Sequence, residues 1–393
     1  MGTDMRMRPI SYGASVYSGF AFKSEDFCDT GIPVVKIKNV NNRLVDLVDT
    51  EFFPADKVTE KHAKFFLKDG DVLIAMTGQG SVGRVGRVRL NYAERLLLNQ
   101  RVGKFSTIPG KLDLGYLFYV ISTPRYEQIL FDAAAGSGQP NLSPQTICSV
   151  EIPFPPLPEQ KAIAAILGAL DDKIALNRRM NATLEAMARA LFQSWFVDFG
   201  TIPDGWRLGT LGDVATNPRR GVNPDKIAPS TPYIGLEHMP RRCIALGDWG
   251  DAEELESNKF EFMRGEILFG KLRPYFHKVG IAPIDGICST DILVVSPVTP
   301  AWFGFVLGHV SSVEFINHTD AASGGTKMPR TSWQDMARYE IALPPESLAA
   351  EFSNIIRPAM ERITANIHQS RTLAALRDTL LPKLLSGEVR VST

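Results

Sequence analysis

Residues 151–156, Glu-Ile-Pro-Phe-Pro-Pro, recur at residues 340–345 as Glu-Ile-Ala-Leu-Pro-Pro, an offset of 189 positions (340 − 151). The same offset relates Gly136 to Gly325, Pro140 to Pro329, Ser143 to Ser332, Gln145 to Gln334, Thr183 to Thr372 and Leu191 to Leu380, so the register holds from about 136 to 192. Further upstream it drifts to 195 between residues 70–73 and 265–268 (265 − 70). A duplication of this length predicts two similar domains that differ most in their loops.

A long helix is predicted at the end of each copy. After Pro158, apolar residues recur at the spacing of one helical stripe: Ile163, Ile166, Leu167, Leu170, Ile174, Met180, Leu184, Met187, Leu191 and Trp195. The second copy repeats the stripe at Phe352, Ile356, Met360, Ile363, Ile367, Leu373, Leu376, Leu380 and Leu384. We therefore expect helices over about 158–196 and 347–385, each on the order of 55 Å long, with Pro358 kinking the first turns of the second.

These stripes are too long for one small domain to cover, so we expect the two helices to pack on each other as a coiled coil. A two-fold relation between the repeats would make them antiparallel. Asn177 and Asn366 are equivalent at the offset of 189 and lie on the stripes near the helix midpoints. Antiparallel pairing would bring them together, with Leu184 and Leu373 as equivalent apolar residues of the pairing. The alternative is that both asparagines are exposed where the stripe drifts.

Short runs of β character separated by turn residues precede each helix, at residues 32–37, 72–76, 85–90, 267–269 and 292–295. The sequence therefore predicts an α+β protein, with two β-rich domains related by pseudo-two-fold symmetry and separated by two long antiparallel helices. The predicted boundaries are 1–156 for the first domain, 157–199 for the first helix, 200–344 for the second domain, and 345–393 for the second helix and C-terminal tail.

The composition, 44% hydrophobic and 22% charged residues in a chain of 393, is typical of a globular protein. No apolar run approaches the roughly 20 residues of a membrane span, and the N-terminus lacks a signal-peptide core. We therefore expect a cytoplasmic protein that does not bind a membrane. Four distant cysteines without a CxxC motif predict neither a metal site nor disulfides. The 43 basic and 43 acidic residues balance, but a balanced total can hide basic patches.

Motifs for catalysis are missing from the sequence. No GxxxxGK[ST], HExxH or GxSxG occurs, and Asn217-Pro218 and Asn223-Pro224 are each followed by a charged residue, unlike an NPPY motif. Residues 78–83 spell GxGxxG, but residues 84–90 alternate with the period of a strand instead of opening a helix. We interpret these glycines as a hairpin tip suited to approaching a phosphate backbone, with a plain glycine-rich turn as the alternative. The chain is predicted to have no catalytic residues, although scattered acids leave an unrecognised active site open.

The candidate DNA-contacting residues are loop side chains that can bind phosphates or base edges. In the first half they are Lys36, Lys38, Asn39, Thr77, Gln79, Ser81, Arg84, Gln100 and Arg101, with the polar turn 136–141 nearby. In the second half they are Arg219, Arg220, Lys271, Arg273, Tyr275, Lys278, Lys327 and Arg330. Residues 79–84 and 273–278 occupy corresponding loops, which favours a shared role. For each residue taken singly, the alternative is an ordinary solvated side chain.

Short motifs in consistent order resemble those of the specificity subunits of type I restriction-modification systems. They are residues 18–23 (Ser-Gly-Phe-Ala-Phe-Lys), 70–74 (Gly-Asp-Val-Leu-Ile), 136–138 (Gly-Ser-Gly), 157–164 (Leu-Pro-Glu-Gln-Lys-Ala-Ile-Ala), 170–171 (Leu-Asp), 206–214 (Trp-Arg-Leu-Gly-Thr-Leu-Gly-Asp-Val), 271–274 (Lys-Leu-Arg-Pro), 288–290 (Cys-Ser-Thr) and 380–387 (Leu-Leu-Pro-Lys-Leu-Leu-Ser-Gly). The resemblance covers nearly the whole chain. It departs before Ser18, where the Trp and Leu-Gly-Asp pattern of 206–213 is missing, and at 345–348, where Pro-Glu-Ser-Leu replaces the Pro-Glu-Gln-Lys of 158–161.

The resemblance implies two target-recognition domains, each of which reads one half of a bipartite site on double-stranded DNA. It implies that the paired helices set the spacer between the half-sites and bind methyltransferase subunits, expected to be two. Those subunits would carry the S-adenosylmethionine chemistry, and motor-nuclease subunits that use ATP and Mg would join for cleavage. This chain itself is expected to bind no cofactor. The rival interpretations are a self-contained restriction-modification enzyme, disfavoured by the missing motifs, and a structural coiled-coil protein, disfavoured by the two large β-rich modules.

Overall fold

The structure is a computed structural model that describes residues 6–41, 43–47, 49–90, 95–134, 140–253, 257–324 and 328–391. It divides into two compact units: unit 1 comprises Met1–Asp171 and Ala375–Thr393, and unit 2 comprises Asp172–Ala374. The predicted β-rich domains 1–156 and 200–344 fall within unit 1 and unit 2 respectively, whereas each long helix contributes residues to both units. Unit 1 is therefore built from two separate chain segments and unit 2 from one.

Unit 1 begins with short strands and ends with helices. Its strands are β1 (Met7–Pro9), β2 (Ala14–Ser18), β3 (Ile32–Val35), β4 (Val40–Asn41), β5 (Arg43–Val45), β6 (Glu51–Phe53), β7 (Val72–Ala75), β8 (Val85–Arg87), β9 (Leu97–Leu98), β10 (Val102–Thr107) and β11 (Glu151–Pro153). Its helices are α1 (Leu114–Ile121), α2 (Pro124–Ala134), α3 (Pro144–Ser149) and the start of α4 (Leu157–Phe196). The described sheets have the orders β2-β10-β7-β8-β5-β4, β6-β3-β9 and β1-β11.

Unit 2 repeats this plan. Its strands are β12 (Arg207–Thr210), β13 (Ala215–Thr216), β14 (Gly221–Val222), β15 (Pro232–Ile234), β16 (Gly250–Asp251), β17 (Lys259–Phe262), β18 (Ile267–Gly270), β19 (Val279–Ile281), β20 (Gly286–Cys288), β21 (Ile292–Pro297) and β22 (Glu340–Leu343). Its helices are α5 (Phe303–Val310), α6 (Val313–Ala321), α7 (Trp333–Ala337) and α8 (Glu346–Ser386), which ends in unit 1. The described sheets have the orders β13-β21-β18-β19, β14-β17-β20-β15-β16 and β12-β22.

The strand orders show how far the duplication extends. The series β2-β10-β7-β8 corresponds to β13-β21-β18-β19, β6-β3-β9 corresponds to β16-β15-β20, and β1-β11 corresponds to β12-β22. The pairings β3 with β9 and β15 with β20 are both parallel, while the other pairings in these corresponding series are antiparallel. The two copies therefore share one topology in the regions where their sequences have drifted apart.

The helices keep the offset of 189 over a longer stretch than residue identities reveal. Helix α5 begins 189 residues after α1, α6 after α2, α7 after α3, and α8 after α4. The equivalent residues Ser143 and Ser332 cap α3 and α7, where their hydroxyls accept from the amides of Thr146 and Asp335. The helical half of the repeat is therefore in register from residue 114 onward, well before the identities that begin at 136.

Both long helices lie within one residue of their predicted ends, and α8 is continuous through Pro358. In unit 2 their segments run antiparallel, because the residue numbers of the contacting partners on α8 decrease as those on α4 increase. Asn177 bonds to Ser370 at 3.2 Å and Asn181 to Asn366 at 2.8 Å, and Trp195 packs on Phe352 at 5.6 Å between ring centroids. The coiled-coil geometry and the pseudo-two-fold relation between the repeats stay predictions.

Each unit has its own apolar core, to which both long helices contribute. In unit 1, Ile163 and Leu167 of α4 and Leu381 and Leu384 of α8 are at most 2% exposed and pack with the β-sheet and α1. In unit 2, Phe192, Phe196, Phe305 and Phe352 form an aromatic cluster, within which Phe196 packs edge-on against Phe352 at 4.9 Å. Burial of such side chains is the main force that holds helices of this length against the sheets.

Candidate nucleic-acid interface

In unit 1, three loops meet at the C-terminal end of β7. The amide of Met76 donates to the carbonyl of Arg101 at 3.0 Å, and the amide of Leu142 donates to the carbonyl of Met76 at 2.7 Å. Thr77 forms an isolated antiparallel bridge with Asn141. These contacts bring the loop after β7, the loop between β9 and β10, and the segment before α3 to one end of the sheet.

The loop after β7 is a hairpin connection. Strands β7 and β8 pair antiparallel, so the GxGxxG string is a hairpin tip, as predicted, and not a dinucleotide-binding turn. Gly80 has a φ of 80°, and a Cβ there would meet nothing within 4 Å, which places it at the open tip. Gly83 has a φ of 84°, and its Cβ would lie 3.2 Å from the backbone of α2. A left-handed backbone at both positions favours glycine, and Gln79 stands exposed beside Gly80.

Three predicted side chains of unit 1 are exposed at this end of the sheet: Gln79, Gln100 and Arg101. The amide of Gln100 donates to the carbonyl of Phe20 at 2.8 Å, which ties its loop to the sheet. The other predicted side chains in these loops are less available. Ser81 and Arg84 are half-buried, Arg84 lies 4.0 Å from the carboxylate of Glu127, and the hydroxyl of Thr77 is buried.

The turn of residues 36–39 lies against the same loop, because a Cβ on Gly78 would come within 3.1 Å of Ile37. Lys36 and Lys38 both form ion pairs with Glu51, and the hydrogen bond from Lys36 holds the pKa of Glu51 below its usual value. Asn39 is 1% exposed; its Oδ1 accepts from the Lys36 amide at 2.9 Å, and its Nδ2 donates to the carbonyl of Asp46 at 2.9 Å. Asn39 therefore holds the turn together.

In unit 2, the equivalent loop after β18 is bound to the segment before α7. The amide of Arg273 donates to the carbonyl of Pro329 at 2.8 Å, and the amide of Thr331 donates to the carbonyl of Lys271 at 3.1 Å. Leu272 and Arg330 form an antiparallel bridge between these two hydrogen bonds. Lys271, Arg273 and Arg330 are therefore brought together, although the Arg330 guanidinium donates to Asp291 at 3.1 Å.

The turn 273–277 is strained and carries stacked cations. Arg273 and His277 both have left-handed backbones, with φ of 52° and 51°, a conformation that costs non-glycine residues on the order of 1 kcal/mol or more each. Between them, the ring of Phe276 lies 4.1 Å from the guanidinium carbon of Arg241 and 5.9 Å from that of Arg273. Tyr275 is 49% exposed. The turn thus presents one exposed aromatic ring and two arginines in a defined arrangement.

Arg219 and Arg220 do not join this group. Arg220 forms an ion pair with Glu266, which lies just before β18, whereas Lys271 follows the end of that strand. A strand of four residues spans about 13 Å. Arg219 is exposed and lies 5.9 Å from the ring of Phe260. The structure therefore places these two arginines at the opposite end of β18 from the strained turn.

The remaining predicted residues of unit 2 differ in placement. The ammonium group of Lys278 donates to the carbonyl of Leu236, and burial, aided by Arg241, lowers the pKa of Lys278. Lys327 and the glycine-rich residues 136–139 lie outside the described residues. Phe276 was not among the predicted residues, although the basic and aromatic alternation at 273–278 could have indicated it.

Metal sites and membrane-spanning helices are both absent from the described residues. Among them, no group of three or more His, Cys, Asp or Glu side chains is placed to hold a metal ion. No helix within the described ranges has both the length and the apolar character to cross a membrane.

Comparison with known proteins finds similar specificity subunits of type I restriction systems both by sequence and by structure. The family described as "Type I restriction modification DNA specificity domain" matches residues 14–186. The MjaIX specificity subunit of a type I restriction enzyme from Methanocaldococcus jannaschii is 28% identical over 304 residues, which cover 70% of this chain and 69% of that protein. The HindI specificity subunit from Haemophilus influenzae is 25% identical, covering 83% of this chain and 88% of the relative.

A solved structure shares the fold. The S subunit of a type I restriction-modification system from M. genitalium superposes with a TM-score of 0.61 at 16% identity, covering 98% of this chain and 97% of that one. The α+β fold class predicted from the sequence is thereby confirmed.

Proposed function

Because the chain belongs to the family of type I restriction-modification specificity subunits, we propose that each of its two units reads one half of a bipartite DNA sequence. In unit 1 the reading surface consists of Gln79, Gln100 and Arg101. In unit 2 it consists of Arg273, Tyr275 and Arg330, with Lys271 on the adjoining backbone. The chain directs catalytic partner subunits to this sequence and carries no catalytic residues itself.

The main support for the proposal is that two loops at equivalent positions in the two units present different side chains. The loops after β7 and β18 occupy the same place in one topology, since β7 and β18 are equivalent strands. In unit 1 this place presents an exposed glutamine on a glycine hairpin, and in unit 2 it presents a strained turn with stacked arginines. One scaffold with two sets of loop side chains is what two different half-sites require.

The side chains suit base recognition. Arginine forms paired hydrogen bonds with guanine, and glutamine does so with adenine. Such contacts discriminate well only when the side chain is held by a rigid support. Here the support is provided by the hydrogen bonds that tie the Arg273 and Gln100 amides to neighbouring loops.

The proposal extends to partners. The relatives are subunits of type I restriction enzymes, and we propose that this chain likewise binds methyltransferase subunits, two in number, and motor-nuclease subunits. S-adenosylmethionine, ATP and Mg would then be bound by those partners. The complex would act on DNA in the cytoplasm.

The test compares three arginine variants in the complex assembled with its methyltransferase partner: Arg101→Ala, Arg273→Ala and Arg219→Ala. Binding to oligonucleotides with single base changes in either half-site is measured at fixed salt concentration. Arg101→Ala should relax discrimination in one half-site and Arg273→Ala in the other, each by about 1–3 kcal/mol at the affected base. Arg219→Ala, the matched control at the far end of β18, should leave both half-sites unchanged.

Two outcomes would contradict the proposal. One is that Arg101→Ala and Arg273→Ala alter the same half-site. The other is that Arg219→Ala relaxes recognition as much as Arg273→Ala. Methylation of DNA by the purified chain without a partner would overturn the assignment of a non-catalytic role.

A further inference from the structure

Unit 2 contains a cavity of about 200 Å³ between its helices. Apolar walls come from α4, α5 and α8, including Phe192, Leu307 and Phe352. Polar groups come from Glu185 and Arg189 of α4, from Arg242 and His277, and from the first residues of α6. Mostly apolar walls with a few convergent polar groups are typical of a small-ligand site.

The equivalent place in unit 1 follows from the repeat. At the offset of 189, Arg189 corresponds to Asp378 and Gly308 corresponds to Tyr119. The turns Ile37–Asn39 and Leu236–His238 match at an offset of 199, which pairs Arg43 with Arg242. Arg43 and Arg242 also share a left-handed backbone, with φ of 64° and 54°.

In unit 1 this place is filled and its charges are paired. The Arg43 guanidinium donates to the carboxylate of Asp378 at 2.9 Å and to the carbonyl of Ser122 at 3.4 Å. The ring of Tyr119 is fully buried there, and its hydroxyl donates to Asp171 at 2.8 Å. A carboxylate and an aromatic ring therefore complete this part of unit 1.

Unit 2 lacks both of these groups. Arg189 replaces the aspartate and Gly308 replaces the tyrosine, while Phe192 occupies only part of the space, 2.0 Å from where a Cβ on Gly308 would lie. Glu185 is already engaged, because its carboxylate accepts from Arg189 at 3.0 Å and from the Ile244 amide at 3.1 Å.

Within the parts of the chain that the structure describes, no carboxylate lies within ion-pair distance of the Arg242 guanidinium. Glu314, the other acid at the cavity, is exposed on the first turn of α6. Burial lowers the pKa of His277, and its Nε2 donates to the carbonyl of Ser311 at 2.9 Å. The lining therefore combines apolar surface with an exposed guanidinium, that of Arg242, for which no carboxylate partner is present among the described residues.

We propose that this cavity binds a small free carboxylate with an apolar body, such as an aryl carboxylate. Its carboxylate would pair with Arg242, as Asp378 pairs with Arg43 in unit 1. Its apolar part would pack against Phe192, Leu307 and Phe352. This site is separate from the DNA-reading loops, and binding there does not depend on DNA recognition.

The test uses the purified full-length chain and 4-fluorobenzoate, whose binding is followed by fluorine NMR line broadening and displacement by benzoate. We expect saturable binding, with benzamide, which has the same shape without the charge, at least about tenfold weaker, as for the loss of a charge-assisted hydrogen bond. Arg242→Gln should weaken benzoate by a similar factor, Arg242→Lys should retain part of the affinity, and the exposed control Arg338→Gln should leave it unchanged. Unchanged tryptophan fluorescence of each variant shows that unit 2 is folded.

The proposal is overturned if neither benzoate nor phenylacetate binds saturably at concentrations up to about 10 mM. It is also overturned if Arg242→Gln binds benzoate as the unaltered chain does. Loss of the site on assembly with the methyltransferase partner would show that a protein group fills it, and would overturn the assignment to a free carboxylate. Weakened benzoate binding together with normal DNA recognition in Arg242→Gln separates this proposal from the proposed function.

Discussion

Replacement of Asn366 by leucine should destabilise unit 2 much more than replacement of Asn177, although the two residues are equivalent in the repeat. Asn366 is 2% exposed, and its Nδ2 donates to Oδ1 of Asn181 at 2.8 Å. Asn366→Leu therefore leaves the Asn181 oxygen buried without its donor, which costs about 1–3 kcal/mol. Leucine has the same branching and the same number of side-chain heavy atoms as asparagine, and its larger methyl groups are introduced equally by Asn366→Leu and Asn177→Leu.

Asn177 is held differently. Its Nδ2 is shared among the Asn366 carbonyl, Gln369 and Ser370 at 3.0–3.4 Å, and its Oδ1 is buried without a partner among the described residues. The Asn366 carbonyl keeps the hydroxyl of Ser370 as a donor at 2.7 Å when Asn177 is replaced. Asn177→Leu removes an unpaired acceptor as well as three shared bonds, so we expect a cost below about 1 kcal/mol.

The assay is urea unfolding followed by tryptophan fluorescence, which reports on unit 2 alone. All five tryptophans of the chain lie in that unit, at Trp195, Trp206, Trp249, Trp302 and Trp333. With a urea dependence of about 2 kcal/mol per M, Asn366→Leu should lower the midpoint by about 0.5–1.5 M and Asn177→Leu by less than about 0.5 M. Asn354→Leu, on an exposed position of α8, controls for the higher helix propensity of leucine. Equal shifts for the two variants, or a larger shift for Asn177→Leu, would refute this reasoning.

Two further predictions concern buried ionisable groups. Burial lowers the pKa of His309 to about 3, below its unfolded value of about 6.5. Unit 2 should therefore lose stability as the pH falls below about 6.5, by about 2 kcal/mol at pH 5. His309→Phe should flatten this pH dependence of stability in unfolding followed by tryptophan fluorescence, and an unchanged pH dependence would contradict the prediction. Arg377 and Asp171 form an ion pair at 2.6 Å with side chains 15% and 18% exposed. Arg377→Ala should therefore destabilise unit 1 by about 1–3 kcal/mol, because it removes the cation that pairs with the half-buried carboxylate of Asp171, which keeps the hydroxyl of Tyr119 as a donor at 2.8 Å. Far-UV circular dichroism should show an early transition that tryptophan fluorescence does not follow, and coincident shifts in both signals would count against the assignment to unit 1.

The helical half of the fold could be predicted well from the sequence. Apolar spacing and the offset of 189 predict the ends of both long helices to within one residue. The apolar stripe is long enough to identify the second helix although it contains Pro358. Residue identities do not reveal that the offset of 189 already relates α1 to α5, upstream of residue 136. Residues 114–121 and 303–310 share little beyond Gly115 and Gly304, since packing conserves the apolar character of a helix more than its residues.

The candidate interface could be predicted only as a set of loops. The charge of Arg220 makes it a candidate for DNA contact, but its ion-pair partner Glu266 is 46 residues away in the sequence, and no local pattern predicts such an ion pair. Asn39 is predicted to contact DNA as a loop residue, while its side chain bonds to the backbone of Lys36 and Asp46. Glycine is the residue that usually indicates a left-handed backbone in a sequence, so nothing in the sequence predicts one at Arg273. In the structure this conformation is accompanied by the hydrogen bond from the Arg273 amide to the Pro329 carbonyl.

The discontinuous make-up of unit 1 dictates an order of assembly during synthesis. The core of unit 1 includes Leu381 and Leu384, which are 2% exposed and lie in the last 13 residues of the chain. Unit 2, a single segment of residues 172–374, is complete before those leucines are translated. On the ribosome, therefore, the portion that is made first is the one that must finish folding last, and a nascent or truncated chain exposes the unfilled core of unit 1 until Leu381 and Leu384 emerge.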